Sequence, residues 1–154
     1  METTGKLNVL KSIAHALNQA GVVWAVGGSM LLYFKGIVSE FHDIDLMIKP
    51  EDAETVKAIL ARMGTLEPFN PSAKYKSKAF YEFTIGGVDV DVMAGFVIVK
   101  GAAEYNRSLR DDEITEHIRL DDESIPLHSL AAWRRNYELM GKPDKVRMID
   151  TAAR

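Results

Sequence analysis

Two pairs of aspartates have the spacing for chemistry. In "EFHDIDLMIKP" (40–50) Asp43 and Asp45 stand two residues apart at the mouth of an apolar run, and in "GGVDVDVMAG" (86–95) Asp89 and Asp91 repeat that spacing. Successive side chains of a strand point to opposite faces, so each acidic pair shares one face. Ile44, Leu46 and Ile48 take the other face of the first segment, and Val88, Val90 and Val92 that of the second. Carboxylates gathered in this way raise one another's pKa. A divalent cation reverses that cost. Mg²⁺, or Mn²⁺, accepts carboxylate oxygens together with phosphate oxygens and water. Two such ions can hold the attacking and leaving oxygens of a phosphoryl displacement. A single D-x-D on a strand is more often a solvated face; the second pair argues for a site.

A phosphate cradle lies upstream. "VVWAVGGSMLLYFKG" (22–36) passes from an apolar run through Gly27-Gly28-Ser29 into an apolar helix. Glycines at such a turn let a phosphate approach the backbone. The helix start offers free N–H groups, and Ser29 adds a hydroxyl. The glycines alone are a weak signal; with the carboxylates they form the two halves of a metal–triphosphate site.

These residues need a scaffold, and the chain is long enough to provide one. Its 154 residues fit one domain, 1–154, with a sizeable core. Hydrophobic residues make up 47% and charged residues 27%, an ordinary globular composition. With 19 basic and 22 acidic side chains the net charge is −3, which gives no case for whole-surface nucleic-acid binding. The absence of cysteine excludes disulfides, thiolate zinc sites and thiol nucleophiles. The four histidines show no zinc spacing. No run approaches the ~20 apolar residues that span a bilayer. Lys6, Lys11, His15 and Gln19 break up the first segment, so it does not read as a secretion signal. A cytoplasmic location is the expectation.

The periodicities predict an α/β (α+β) fold with a mixed sheet. A helix is expected over 6–20, where Leu7, Leu10, Ile13, Ala14 and Leu17 recur at helical spacing, with Gly21 as its stop. Strands follow at 22–26 and 43–49, the second closed by Pro50, and a helix at 51–64. Residues 64–78 read as a loop. Gly86-Gly87 joins two strands in a hairpin, "FVIVK" (96–100) is a further strand or a continuation, and 113–120 alternates like a strand. The stretch from Ile125 ends the chain in two helices, with Ser129 as cap and Gly141-Lys142-Pro143 as the break.

In this order the motifs resemble the DNA polymerase beta superfamily of nucleotidyltransferases. The sequence is particularly similar to its small bacterial members, including the lincosamide nucleotidyltransferases and nucleotidyltransferase-like toxins. The matching core is 22–95, and the helical ending, about 128–154, is similar too. The resemblance implies a mixed sheet flanked by helices, with further helices at the C-terminus. It implies that Gly27, Gly28 and Ser29 hold the phosphates of a nucleoside triphosphate, and that Asp43 and Asp45 ligate Mg²⁺ (or Mn²⁺). It further implies a third carboxylate, Asp91 by preference and Asp89 as runner-up. The reaction would be attack of a hydroxyl on the α-phosphorus with release of pyrophosphate. Many relatives carry a basic and a small hydroxyl residue shortly before the acidic pair, where this chain has Ser39, Glu40 and Phe41. A basic grip on the triphosphate would then come from elsewhere.

Other candidates follow. His42 could orient ligands or a phosphate, although alternation points it toward the core. Lys74, Lys76 and Lys78 share a face if extended and could reach the triphosphate, with a solvated loop as the plainer reading. Lys142 and Lys145 could close over the cleft. Arg134 and Arg135 diverge on a helix and read as surface. The acceptor stays open between a small molecule such as an antibiotic, a protein hydroxyl and an RNA end, because its pocket would fall in 96–128. A neighbouring copy could complete the cleft. The alternative function is a catalytically degenerate nucleotidyltransferase-fold module in a toxin–antitoxin or defence pair.

Overall fold

The computed structural model describes residues 2–69 and 79–153. Among these are nine strands and five α-helices, with α1 to α3 interleaved with the first strands, β3 to β9 following without an intervening α-helix, and α4 and α5 last. The helices are α1 (Thr3–Gln19), α2 (Gly28–Phe34), α3 (Ala53–Ala61), α4 (Leu130–Met140) and α5 (Pro143–Ala152). The strands are β1 (Trp24–Gly27), β2 (Ile44–Ile48), β3 (Thr65–Leu66), β4 (Ala79–Ile85), β5 (Val88–Ala94), β6 (Val97–Lys100), β7 (Ala103–Asn106), β8 (Ile114–Leu120) and β9 (Glu123–His128). A seven-stranded sheet has the order β3-β4-β5-β2-β1-β9-β8, and β6 and β7 form a separate two-stranded sheet. The β2–β5 and β1–β9 pairs are parallel. The other pairs are antiparallel, so the sheet is mixed as expected.

The central strand β1 is buried along its whole length, and so is β2 apart from Asp45, which suits strands covered from both sides. α1 buries Leu10, Ile13, Ala14 and Leu17, the stripe predicted from spacing. α2 buries Met30, Leu31 and Leu32 and stops at Gly36, whose φ of +74° suits a glycine. The β4–β5 turn has φ of +57° at Gly86 and +80° at Gly87, the primed-turn geometry that diglycine favours in hairpins. In α4 the Ser129 Oγ accepts a 3.2 Å hydrogen bond from the Ala132 N–H, as its sequence position foretold. Pro143 opens α5 in the first turn, where its missing N–H costs nothing.

Two expectations are corrected, and a strand appears at 103–106 where none was read. Residues 123–128 form β9, although Pro126 argues against an interior strand. The stretch 103–106 pairs with β6 without any apolar alternation to betray it. Thr65 and Leu66, read as loop, pair with Thr84 and Phe83 to form the β3 edge. No described helix is long and apolar enough to cross a membrane.

Candidate active site

β1 and β2 run antiparallel with Gly27 opposite Asp45, and β2 and β5 run parallel with Asp45 opposite Asp91. This register sets the diglycine, Asp45 and Asp91 side by side on three neighbouring strands. Asp43 sits one residue before β2, in the approach to the strand. A cleft of about 320 Å³ opens over this row. Gly28, Ser29, His42, Asp43, Asp45 and Asp91 line its polar side, together with Lys142 and Lys145. Phe80, Met93, Phe96, Trp133, Tyr137 and Met140 form its apolar wall.

The diglycine does two different jobs. Gly28 has φ of +62°, and a Cβ built there would lie 1.8 Å from Asp45 Oδ2. Only a glycine lets the carboxylate come down against the helix start. Gly27 does not line the cleft; a Cβ there would fall 2.4 Å from the Trp133 ring. Its missing side chain makes room for α4.

Trp133 is held in turn by a buried relay. Its Nε1–H donates to His128 Nδ1 at 3.0 Å, and His128 Nε2 lies 3.2 Å from Glu113 Oε1. Because Nδ1 accepts, the imidazole proton belongs on Nε2, which donates to Glu113. Burial lowers the His128 pKa below its ordinary value, with Glu113 working against that effect. The neutral ring therefore fixes the indole under the diglycine.

The carboxylates are electrostatically strained. Burial first, then the charges of Asp91 and Asp43, push the Asp45 pKa up to about 8, with Lys142 pulling it back. Burial, then Asp43, Glu82 and Asp89, push Asp91 up to about 7. Such shifts mark carboxylates that lack sufficient positive charge.

The sequence candidates divide as follows. Asp43, Asp45, Asp91, Gly28 and Ser29 meet in one cleft. Asp89 is exposed on the rim opposite Thr84 and does not line the cleft, though its charge reaches Asp91. His42 was expected to lean into the core; it is exposed at the cleft edge, because Phe41 takes the buried position against Tyr33 instead. Lys76, with Lys74 and Lys78, lies outside the described residues. Arg134 and Arg135 stay at the surface, in ion pairs with Asp150 and Glu138. The sequence reading did not place Phe80, Met93 or Phe96 at the site, nor the face of α4 that meets it. Trp133, Tyr137 and Met140 at i, i+4 and i+7 carried that signal, which core packing alone would also explain.

The donor set consists of oxygens, which suits Mg²⁺. Among the described residues no group of three or more His, Asp or Glu side chains forms a ready-made metal cage. Mg²⁺ does not require one, since it commonly binds one or two carboxylates and completes its shell with water and substrate phosphates.

A mixed sheet with a strand–diglycine–helix turn beside carboxylates on two adjacent strands defines a nucleotidyltransferase fold. The model of the aminoglycoside-2''-adenylyltransferase family matches residues 9–153, and the chain belongs to that family. A comparison with curated proteins gives no match. Among solved structures, a candidate nucleotidyltransferase from Thermotoga maritima is similar, with TM-score 0.77 and 24% identity over 98% of this chain and 94% of that one. ANT(2'')-Ia, solved with adenylyl-2''-tobramycin, aligns with TM-score 0.66 and 15% identity over 99% and 91% of the two chains. The lincosamide adenylyltransferase LnuA, solved with lincomycin, gives TM-score 0.56 and 11% identity over 99% and 98%. At these identities the structures speak for the fold, and it is the fold expected from the motifs.

Proposed function

We propose that this protein, read as one domain, transfers the adenylyl group of ATP to a hydroxyl of a small-molecule acceptor and releases pyrophosphate. One observation carries the reading: Asp45 and Asp91 are in register on adjacent parallel strands, in the cleft that Gly28 and Ser29 also line. The family's adenylyl transfer supports the choice of ATP, and the antibiotics bound to two of the similar folds support a small molecule over a protein or an RNA end.

Asp43, Asp45 and Asp91 would hold Mg²⁺, which neutralises charge on the triphosphate and activates the attacking hydroxyl when bound. Gly28 and Ser29 receive the phosphates at the start of α2. Asp91 lies farther from the cradle than Asp45 and takes the proton of the incoming hydroxyl. The bond from acceptor oxygen to α-phosphorus forms as the bond to the bridging oxygen breaks, and that electron pair leaves with pyrophosphate. Positioning and charge neutralisation supply most of the acceleration.

The test is a thermal-shift screen of nucleoside triphosphates with Mg²⁺ or Mn²⁺, followed by transfer of α-labelled ATP onto panels of hydroxylated antibiotics. Metal-dependent stabilisation by ATP that is lost in Asp43→Asn, together with label transfer, is expected. A protein that binds no nucleotide with either metal would leave the non-catalytic module as the better reading.

A further inference from the structure

In-line displacement puts the attacking oxygen opposite the leaving one. With the phosphates received by Gly28 and Ser29 at the start of α2, the acceptor hydroxyl enters from the other end of the carboxylate row, over β5 and β4. The side chains that β4 presents there decide which alcohols can react.

The sheet register carries the row past Asp91. Glu82 on β4 is the register partner of Asp91, and the Glu67 N–H, just beyond β3, donates to the Glu82 carbonyl at 2.8 Å. Register partners share a face, so the Glu82 carboxylate stands on the cleft side one strand out from Asp91, about 5 Å away. Its charge is felt at Asp91. The neighbouring Glu67 carboxylate is engaged by Thr84, whose Oγ1 donates to it at 2.9 Å. Among the described residues the Glu82 carboxylate has no such partner.

Phe80 lies two residues earlier on the same face of β4, opposite Met93. It lines the catalytic cleft and also a second hollow, of about 300 Å³, at the edge of the sheet. The two hollows therefore meet at its ring. Leu66 and Phe69 line the second hollow and are exposed, Phe69 at 77%. Apolar surface left open beside a cleft marks a place for an apolar ligand part. Lys57 borders this hollow too, but its Nζ lies 5.4 Å from the centre of the Tyr81 ring, and Tyr81 alternates to the face opposite Glu82.

A carboxylate beside an aromatic ring on one strand face suits an ammonium group: the acid accepts its N–H donors and the ring attracts its charge. A neutral polyol gains from neither. A polyamine with no apolar body would leave Leu66 and Phe69 in water.

We propose that Phe80 and Glu82 select the acceptor, an alcohol that carries an ammonium group close to its reacting hydroxyl and an apolar body that runs past Phe80 toward Leu66 and Phe69. The hydroxyl sits at Asp91, the ammonium one strand out at Glu82 and the apolar part at the sheet edge, a span of roughly 10 Å over two strand spacings. The ammonium stays protonated and takes no part in the transfer. This rests on the nucleotidyltransferase reading.

The experiment loads the protein with Mg²⁺ and α,β-methylene-ATP, whose bridging carbon blocks transfer, and titrates it by NMR with phenylalaninol, N-acetylphenylalaninol, 3-phenylpropanol and alaninol. Glu82, Leu66 and Phe69 lie outside the buried core, so their variants should fold, and thermal melts with Mg²⁺-ATP check this. We expect the wild type to bind phenylalaninol about fivefold or more tightly than each of the other probes. Glu82→Gln should erase the preference for the free amine over its N-acetyl form and keep the preference for phenylalaninol over alaninol. Leu66→Ser/Phe69→Ser should do the reverse. Phe80→Leu, which keeps apolar bulk and removes the ring, should weaken the amine-bearing phenyl probe several-fold and leave 3-phenylpropanol nearly unchanged. A wild type that binds Mg²⁺-ATP but holds phenylalaninol no better than its N-acetyl form overturns the subsite and leaves the enzyme reading standing, as does a folded Glu82→Gln protein that retains the amine preference. A wild type that binds no nucleotide overturns both.

Discussion

Asp45 and Asp91 are direct register partners across the parallel β2–β5 pair, and both face the cleft. Asp45 is pushed up to about 8 and Asp91 to about 7, from an ordinary 3.8. The folded protein thus keeps protons that the unfolded chain has already released. Between pH ~4 and ~8 the native state binds more protons, so stability is fullest below pH ~4 and falls as pH rises through that window. Metal-free thermal melts should show Tm declining from pH 5 to pH 8. Asp45→Asn should raise Tm at pH 8 and flatten the slope. Mg²⁺ with ATP should restore the wild type at pH 8 and leave the variant unmoved. A metal-free Tm that climbs over this range contradicts the electrostatics described.

The same substitution separates stability from activity. Asp43→Asn, Asp45→Asn and Asp91→Asn should each lower transfer by about 10²-fold or more, since each removes charge that would hold metal at the reacting phosphate. Asp89→Asn should stay within a few-fold of wild type, because Asp89 is exposed and outside the cleft. Steady-state assays at saturating ATP distinguish these outcomes.

Gly28→Ala tests the close approach at the diglycine. The new Cβ would meet Asp45 Oδ2 in a backbone with φ of +62°. The left-handed conformation alone costs about 1–2 kcal/mol for a residue with a Cβ, and the displaced carboxylate would no longer align with Asp91. We expect the unfolding free energy from urea melts to fall by at least that amount, and metal-dependent ATP binding to be lost. Gly21→Ala is the control. It shares the positive φ, at +71°, but a Cβ there meets nothing within 4 Å, so it should lose stability without losing nucleotide.

Much of this arrangement was legible in the sequence because alternation and turn chemistry are local. The D-x-D spacing fixed the shared faces, Gly86-Gly87 fixed the hairpin, and the Leu10–Leu17 stripe fixed the buried side of α1. Preference for Asp91 over Asp89 came from resemblance; in the sheet register it is Asp91 that sits opposite Asp45. What stayed hidden depends on partners far along the chain. β9 owes its strand to pairing with β1 and β8, which overrides Pro126. Gly27 is empty because Trp133 arrives from over a hundred residues away, and no local rule announces that. His42 turned outward because Phe41 won the buried position, a competition between neighbours that alternation alone resolved the wrong way.

The relay beneath the cleft makes a spectroscopic prediction. His128 accepts from Trp133 at Nδ1 and is buried beside Glu113, so protonating it would put two N–H groups face to face. His128 should hold a single Nε2–H tautomer by nitrogen-edited NMR and fail to titrate near the ordinary value of 6.5. Trp133→Phe keeps most of the ring and removes the donor. It should cost about 1–3 kcal/mol, the range for a buried polar group left unpaired, and release the tautomer.

Arg134 joins α4 to α5 through a two-pronged pair with Asp150, Nε to Oδ1 at 2.7 Å and Nη2 to Oδ2 at 2.9 Å. Both side chains are well exposed, so the pair should add no more than about 1 kcal/mol to stability. Its larger effect should be on the angle between the helices, and hence on where the Lys142–Lys145 elbow sits over the cleft. Asp150→Ala should therefore leave Tm nearly unchanged and raise KM for ATP several-fold, without changing acceptor KM. High salt, which screens an exposed pair, should do the same to the wild type and less to the variant. Equal salt sensitivity in the two proteins would separate the ion pair from nucleotide binding and leave the packing of Ile149 as what holds α5 in place.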